Sequence, residues 1–263
     1  MNVTTPPSSL PPASLRGISE EEWKIRCELA ALYRLVAYHR MTDLIYTHIS
    51  ARLPGPDHHF LINRYGVMFH EMRASDLVKI DLEGNVIEED ASSKPVNAAG
   101  FTIHSAIHMT RDDAAYVVHT HTSAGIAVSA QKEGLLPISQ HALKFHGHLS
   151  YHGYEGIALD LDERERLVAD LGQHKAMILR NHGLLVTGRT AAEAFNNIYY
   201  LERACQAQVA ALSAGMDQIV FPPEEVRLRT AEQFNRSDSP HIYDLAWTAA
   251  LRLVDGDKVD YRS

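Results

Sequence analysis

Four apolar or aromatic residues, Ala115 to Val118, run straight into His119-Thr120-His121. An apolar run this short, rich in β-branched and aromatic residues, reads as a buried strand. A strand sends residues i and i+2 to one face, so the two imidazoles point the same way, about 6.5–7 Å apart along the chain. Thr120 is directed elsewhere. The pair therefore sits where a core strand emerges, held rigidly but open to a ligand. A second run, Lys175 to Leu179, ends in Arg180-Asn181-His182-Gly183 and repeats the arrangement, with Gly183 permitting an unusual backbone turn. Three neutral imidazoles with one open position suit a catalytic zinc ion, and also manganese, iron or cobalt. The pattern alone leaves a second reading open, in which these are unrelated histidines at two strand ends.

Composition narrows the partners. The chain has 263 residues, 45% of them apolar, enough for a substantial core. Its formal net charge is −8, and Lys and Arg are scattered. Nucleic acid and anionic membrane both need a basic face, so neither is expected as a partner, and a small-molecule substrate is. No apolar stretch reaches the roughly 18 residues needed to span a bilayer, and no secretory signal is legible at the N-terminus. The two cysteines, Cys27 and Cys205, have no CxxC spacing, which points to reduced thiols in the cytoplasm. Sixteen histidines are the one compositional oddity.

Along the chain, residues 1–19 carry Pro6, Pro7, Pro11 and Pro12 and read as a disordered arm. Residues 20–263 read as a single domain of mixed α/β topology without regular βαβ alternation. Ser19 followed by Glu22 forms a capping box for a helix to about Tyr38. Strands are expected over Ile45 to Arg52, Phe60 to Asn63, Leu77 to Ile80, Ala115 to His121, Ile157 to Leu159 and Lys175 to Leu179, the last extended by Leu184 to Val186. Helices fit Gly100 to Thr110, Ala124 to Ala130 and Ala191 to Ala214, and a helical tail begins at about residue 221. His104 and His108 lie one turn apart on the expected helix, where packing or exposure competes with metal chelation. His141, His146, His148 and His152 fall in an irregular stretch.

Several blocks resemble the class II aldolase/adducin family: Thr47 through Arg52, Asn63 through Gly66, Asp76 through Asp81, Ala99 through His108, Val117 through His121, and Arg180 through Gly183. Ala99 through His108 and Gly134 through Ser139 are most similar to its adducin-head branch. The resemblance implies a three-layer α/β/α fold around a mostly antiparallel, mixed sheet, assembled as a homotetramer with the site near a subunit interface. It implies that His119, His121 and His182 hold the divalent metal, and that the substrate meets Asn63, Tyr65, Gly66 and Gly100. The family's sugar-phosphate aldolases carry Ser-Ser-Glu where this chain has Ala98, Ala99 and Gly100, so most of the phosphate cradle is gone, and the acid/base carboxylate with it. Thr47 and His48 replace a Gly-Asn phosphate element.

Two function classes follow. One is a metal-dependent lyase that breaks a C–C bond, by aldol cleavage or decarboxylation, in a non-phosphorylated carbonyl or hydroxy-acid substrate. Its candidate catalytic proton carriers are His48, Glu71 and Tyr151 or Tyr154. The other is a non-catalytic, adducin-like binding module that retains a metal site. The C-terminal segment, with Tyr243, Trp247 or Tyr261, is expected to reach a neighbouring subunit's pocket.

Overall fold

The computed structural model describes residues 17–87, 95–156, 162–236, 239–256 and 258–263. Most of the expected N-terminal arm and the expected strand at Ile157 to Leu159 lie outside the described residues.

Seven strands form one mixed sheet: β1 (His48–Arg52), β2 (Phe60–Ile62), β3 (Val78–Ile80), β4 (Tyr116–Thr120), β5 (Leu149–His152), β6 (Ala176–Leu179) and β7 (Gly183–Gly188). Their order is β3-β2-β1-β4-β7-β6-β5, and every pairing is antiparallel except β5 with β6. The helices are α1 (Glu20–Tyr38), α2 (Ala98–Thr110), α3 (Ser123–Ser129), α4 (Gln140–Leu143), α5 (Glu163–Leu171), α6 (Ala191–Leu212), α7 (Glu224–Phe234) and α8 (Ser239–Leu251). No described helix is long and apolar enough to cross a membrane.

The alternation of side chains along β4 assigns the layers. Tyr116 and Val118 join the large core built with Leu29, Leu32 and Leu35 of α1 and Ile198 and Leu201 of α6. Val117 faces the other way, into a core with Ile103 and Ile107 of α2 and Leu167 and Leu171 of α5. This period-2 split buries both faces of the sheet between helical layers. Tyr33 ties the layers at the strand ends that matter below: its buried hydroxyl accepts from Ile49 N at 2.7 Å and Asn63 N at 3.1 Å.

Ser19 caps α1 by accepting from Glu22 N at 3.1 Å. The reverse half of the expected box gives way to a stronger electrostatic demand, because the Glu22 carboxylate binds Arg26 and Lys79 instead. Positive φ at Leu44 and Thr47 interrupts the expected first strand, which begins at His48. Leu184 to Val186 does not extend β6. The chain reverses at Arg180 to His182 and returns as β7, antiparallel to β6. The irregular stretch yields α4 and β5, and α5 has no counterpart in the expected elements.

Candidate metal centre

The antiparallel neighbours β1, β4 and β7 bring three chain segments to one end of the sheet. His48 pairs with His119 in register, and Thr120 with Leu184, so His182 arrives beside His119 and His121. Gly183 makes this approach possible. A Cβ there would lie 2.3 Å from the Thr120 carbonyl oxygen. The unusual backbone falls two residues earlier than expected, on Asn181 at φ 54°.

One nitrogen from each of His119, His121 and His182 can be chosen so that all three lie within 4.8 Å of one another. The ring centroids of His119 and His182 are 4.7 Å apart, and those of His121 and His182 are 4.8 Å apart. His119 Nδ1 lies 2.9 Å from the Leu184 carbonyl, an oxygen that can only accept, so this nitrogen carries the proton. His121 Nδ1 lies 3.1 Å from Asp43 Oδ2 and is assigned the proton for the same reason. Burial first, then the neighbouring His182, His48 and His121, hold His119 well below the usual imidazole range, so this ring is neutral. Burial and His121 bring His182 to about 4.

These assignments leave the Nε2 lone pairs of His119 and His121 facing each other at 2.9 Å. Two acceptors so close, one of them nearly fully buried, are a donor set for a shared cation. A tetrahedral centre with metal–nitrogen bonds near 2.0–2.1 Å separates its nitrogens by about 3.3 Å, a small opening of the present pair. The residues therefore fit a divalent ion. Leu184 and Asp43 would act on such an ion through the histidines, since they fix tautomer and ring orientation. Asp43 was not expected from the sequence, since it sits 78 residues before His121. Replacing Asp43 with Ala is expected to weaken metal affinity by about 10–100-fold without unfolding the chain, read by competition with a chromogenic chelator.

Behind the triad, polar groups continue into the interior. His48 lies against His119, with ring centroids 5.1 Å apart. His48 Nδ1 is 2.7 Å from His104 Nε2, His104 Nδ1 is 2.5 Å from Ser50 Oγ, and Ser50 Oγ is 2.7 Å from His108 Nε2. β1 supplies His48 and Ser50 as residues i and i+2, and α2 supplies His104 and His108 as i and i+4, so two periodicities interlock. All four residues are 3% exposed or less. Burial is the largest cause holding the three rings below the normal imidazole value, His108 reaching about 3. With all rings neutral, the hydrogen bonds run consistently in either of two directions. In one, His48 Nε2 is a bare acceptor. In the other, every proton has shifted along the chain and His48 Nε2 carries a hydrogen.

Gly100 and His48 depend on each other: a Cβ on Gly100 would lie 2.6 Å from His48 Cδ2 and 3.1 Å from its Nε2. The imidazole fills space next to the position where the resemblance places a carboxylate. Asn63 is 2% exposed, and its Oδ1 accepts from Tyr33, while its Nδ2 has no hydrogen-bond partner among the described residues. Tyr65 is half-buried and Gly66 is exposed, with φ 95°. Tyr154, rather than Tyr151, approaches the triad, its ring 6.2 Å from that of His182. Tyr151 instead accepts from Leu135 N at 3.0 Å and stacks under Arg180 at 4.2 Å. Glu71 is exposed, and its Oε2 accepts from Met68 N within its own short turn.

The model of the class II aldolase and adducin N-terminal domain matches residues 27–209. The chain belongs to this family. Among its relatives, a Caulobacter vibrioides protein provisionally named an aldolase class 2 protein is 55% identical over 254 residues, covering 96% of this chain and 98% of that protein. Rattus norvegicus alpha-adducin is 43% identical over 224 residues, covering 84% of this chain but 30% of the adducin. The solved L-fuculose 1-phosphate aldolase from Glaciozyma antarctica superposes with a TM-score of 0.81 at 30% identity, covering 97% of both chains. The family is thus shared by enzymes and by adducins.

Proposed function

We propose that this protein is a metal-dependent lyase that cleaves a C–C bond in a non-phosphorylated carbonyl or hydroxy-acid substrate, by aldol cleavage or decarboxylation. The observation that carries this reading is the pair of opposed Nε2 lone pairs on His119 and His121, each fixed by its own Nδ1 partner. A scaffold has no use for such a donor set. A divalent ion held by His119, His121 and His182, with zinc as the expected metal and manganese, iron or cobalt as alternatives, supplies Lewis-acid chemistry that offsets the negative charge left by bond cleavage.

The chain's own residues do the rest. Asn63 Nδ2 offers a buried donor to a substrate oxygen. Gly100, Tyr65 and Gly66 stand where the resemblance places the acid/base carboxylate and part of the phosphate cradle, and supply neither. His48 is the proton carrier: its Nε2 takes and returns the proton, while the chain through His104 and Ser50 to His108 fixes the tautomer it presents. Tyr154 is the second candidate, at the mouth of the site. Glu71 and Tyr151 are bound within other local structures and take no part in this reading. We further propose a cytoplasmic homotetramer and one folded domain over residues 20–263.

A second reading, a non-catalytic binding module, is favoured by the similarity to alpha-adducin over 84% of the chain. His121→Ala separates the two. On a panel of hydroxy acids, aldols and aromatic carboxylates, the lyase reading expects turnover by the wild type and its loss in the variant, with assembly unchanged. Absence of turnover by metal-loaded wild type across the panel favours the binding module.

A further inference from the structure

A cavity of about 270 Å³ opens far from the histidine triad. β7 begins at Gly183, next to His182, and ends at Gly188, next to Arg189 on the cavity wall. Six residues at about 3.3 Å each place the two sites roughly 20 Å apart, at opposite ends of the sheet. Lys144, Lys175 and Arg189 bring cations to the wall, and Glu193 brings a carboxylate.

Lys144, at the end of α4, is 3% exposed. Its Nζ donates to Asn196 Oδ1 and lies 5.6, 5.3 and 5.1 Å from the ring centroids of Phe145, Tyr200 and Tyr243. An ammonium has three donors, and aromatic faces ease its charge without accepting conventional hydrogen bonds. Two donors therefore lack an oxygen among the described residues. Glu193 does not supply one. Its Oε1 accepts from Lys175 Nζ, and its Oε2 accepts from Arg189 N at 2.8 Å. A buried cation without a carboxylate at hydrogen-bond distance is costly, so among the described residues Lys144 is short of negative charge. Burial accordingly brings the Lys144 pKa to about 7, with Lys175 adding to the effect and Glu193 opposing it. Burial and the neighbouring His174 likewise lower His148, which also lines the cavity.

We propose that this cavity is a second ligand site, separate from the metal centre, that binds a small oxyanion, a phosphate or carboxylate group, through Lys144 with Lys175 and Arg189. The anion supplies both the missing acceptors and the missing charge. Lysine suits this role as a compact point charge.

The test is titration of the purified protein with inorganic phosphate and, separately, with malonate, at fixed ionic strength and followed by calorimetry. The expected result is saturable binding of at least one anion, weakened about tenfold or more in Lys144→Met and measurably in Lys175→Ala, and unchanged in His119→Ala. Response to phosphate alone or malonate alone identifies the group recognised. Lys175 is on the rim, with a side chain 37% exposed, so Lys175→Ala carries the test if Lys144→Met fails to fold. No saturable binding of either anion overturns the proposal. So does binding that survives in every folded lysine variant, or binding lost in His119→Ala.

Discussion

Acidifying the metal-free protein from pH 7 to pH 5 is expected to remove a large part of its stability. Burial lowers the folded-state pKa of His48, His104, His108 and His119, whereas in the unfolded chain each titrates near 6.5. Below that value the unfolded state binds more protons than the folded one, so stability falls as pH falls. The contribution is fully present above about pH 6.5 and is lost progressively down to the folded value of each ring. His108, at about 3, costs on the order of 2 kcal/mol between pH 6.5 and pH 5, from about 1.4 kcal/mol per pH unit. The other three rings shift in the same direction and steepen the slope. Against a typical total of about 5–15 kcal/mol, that loss is severe. Guanidinium unfolding midpoints measured between pH 5 and 7 check it. A flat profile would mean that the buried rings accept protons without penalty, contrary to the closed chain from His48 to His108. Bound metal should shift the acid limb to lower pH, because the ion competes with protons for the same lone pairs.

His48→Ala is expected to lower turnover by about 10²–10⁴-fold while leaving one metal ion per chain, the usual range for losing a general acid–base group. The separation of effects follows from position. His48 touches His119 but is not one of the three ligands, and its polar contact is with His104 on the far side from the triad. Gly100→Ala should act through the same ring, since its new Cβ would press His48 at 2.6 Å. Activity should therefore fall in both variants. In Gly100→Ala the loss should come with lower stability, because His48 is hemmed in by His104 and His119. Turnover, metal content and denaturation measured on both variants give the answer. Full activity in His48→Ala would remove His48 from the chemistry and return the proton-carrying role to Tyr154 or to solvent.

Much of the fold was legible because the signals were local. Ser19 before Glu22 marked the start of α1, and Tyr116 to Val118 marked a buried strand by composition alone. β5 was not, because Leu149-Ser150-Tyr151-His152 holds a single aliphatic residue and no apolar run, and its place is set by pairing with β6. The reversal at Arg180 to His182 was missed because the unusual backbone was assigned to Gly183 and the apolar run beyond it was read as more of the same strand. Asn181 takes the left-handed conformation instead. In the site, the HxH pair and Asn-His-Gly could be read from spacing and family likeness. Asp43, the His104–Ser50–His108 chain and the Gly100–His48 contact could not, because each depends on strand register and helix placement across 50 residues or more. Lys144 is the extreme case, a cation in sequence that becomes a buried one only when α4 packs against α6 and α8.

The central claim is that His119, His121 and His182 form one divalent-metal centre. Elemental mass spectrometry of the purified, untagged protein, beside His119→Ala and His182→Ala, tests it most directly. The account predicts about one zinc, manganese, iron or cobalt ion per wild-type chain, and loss of that ion in both folded variants. A wild-type protein without metal that takes up none when supplied, or variants that keep the full complement, would contradict it.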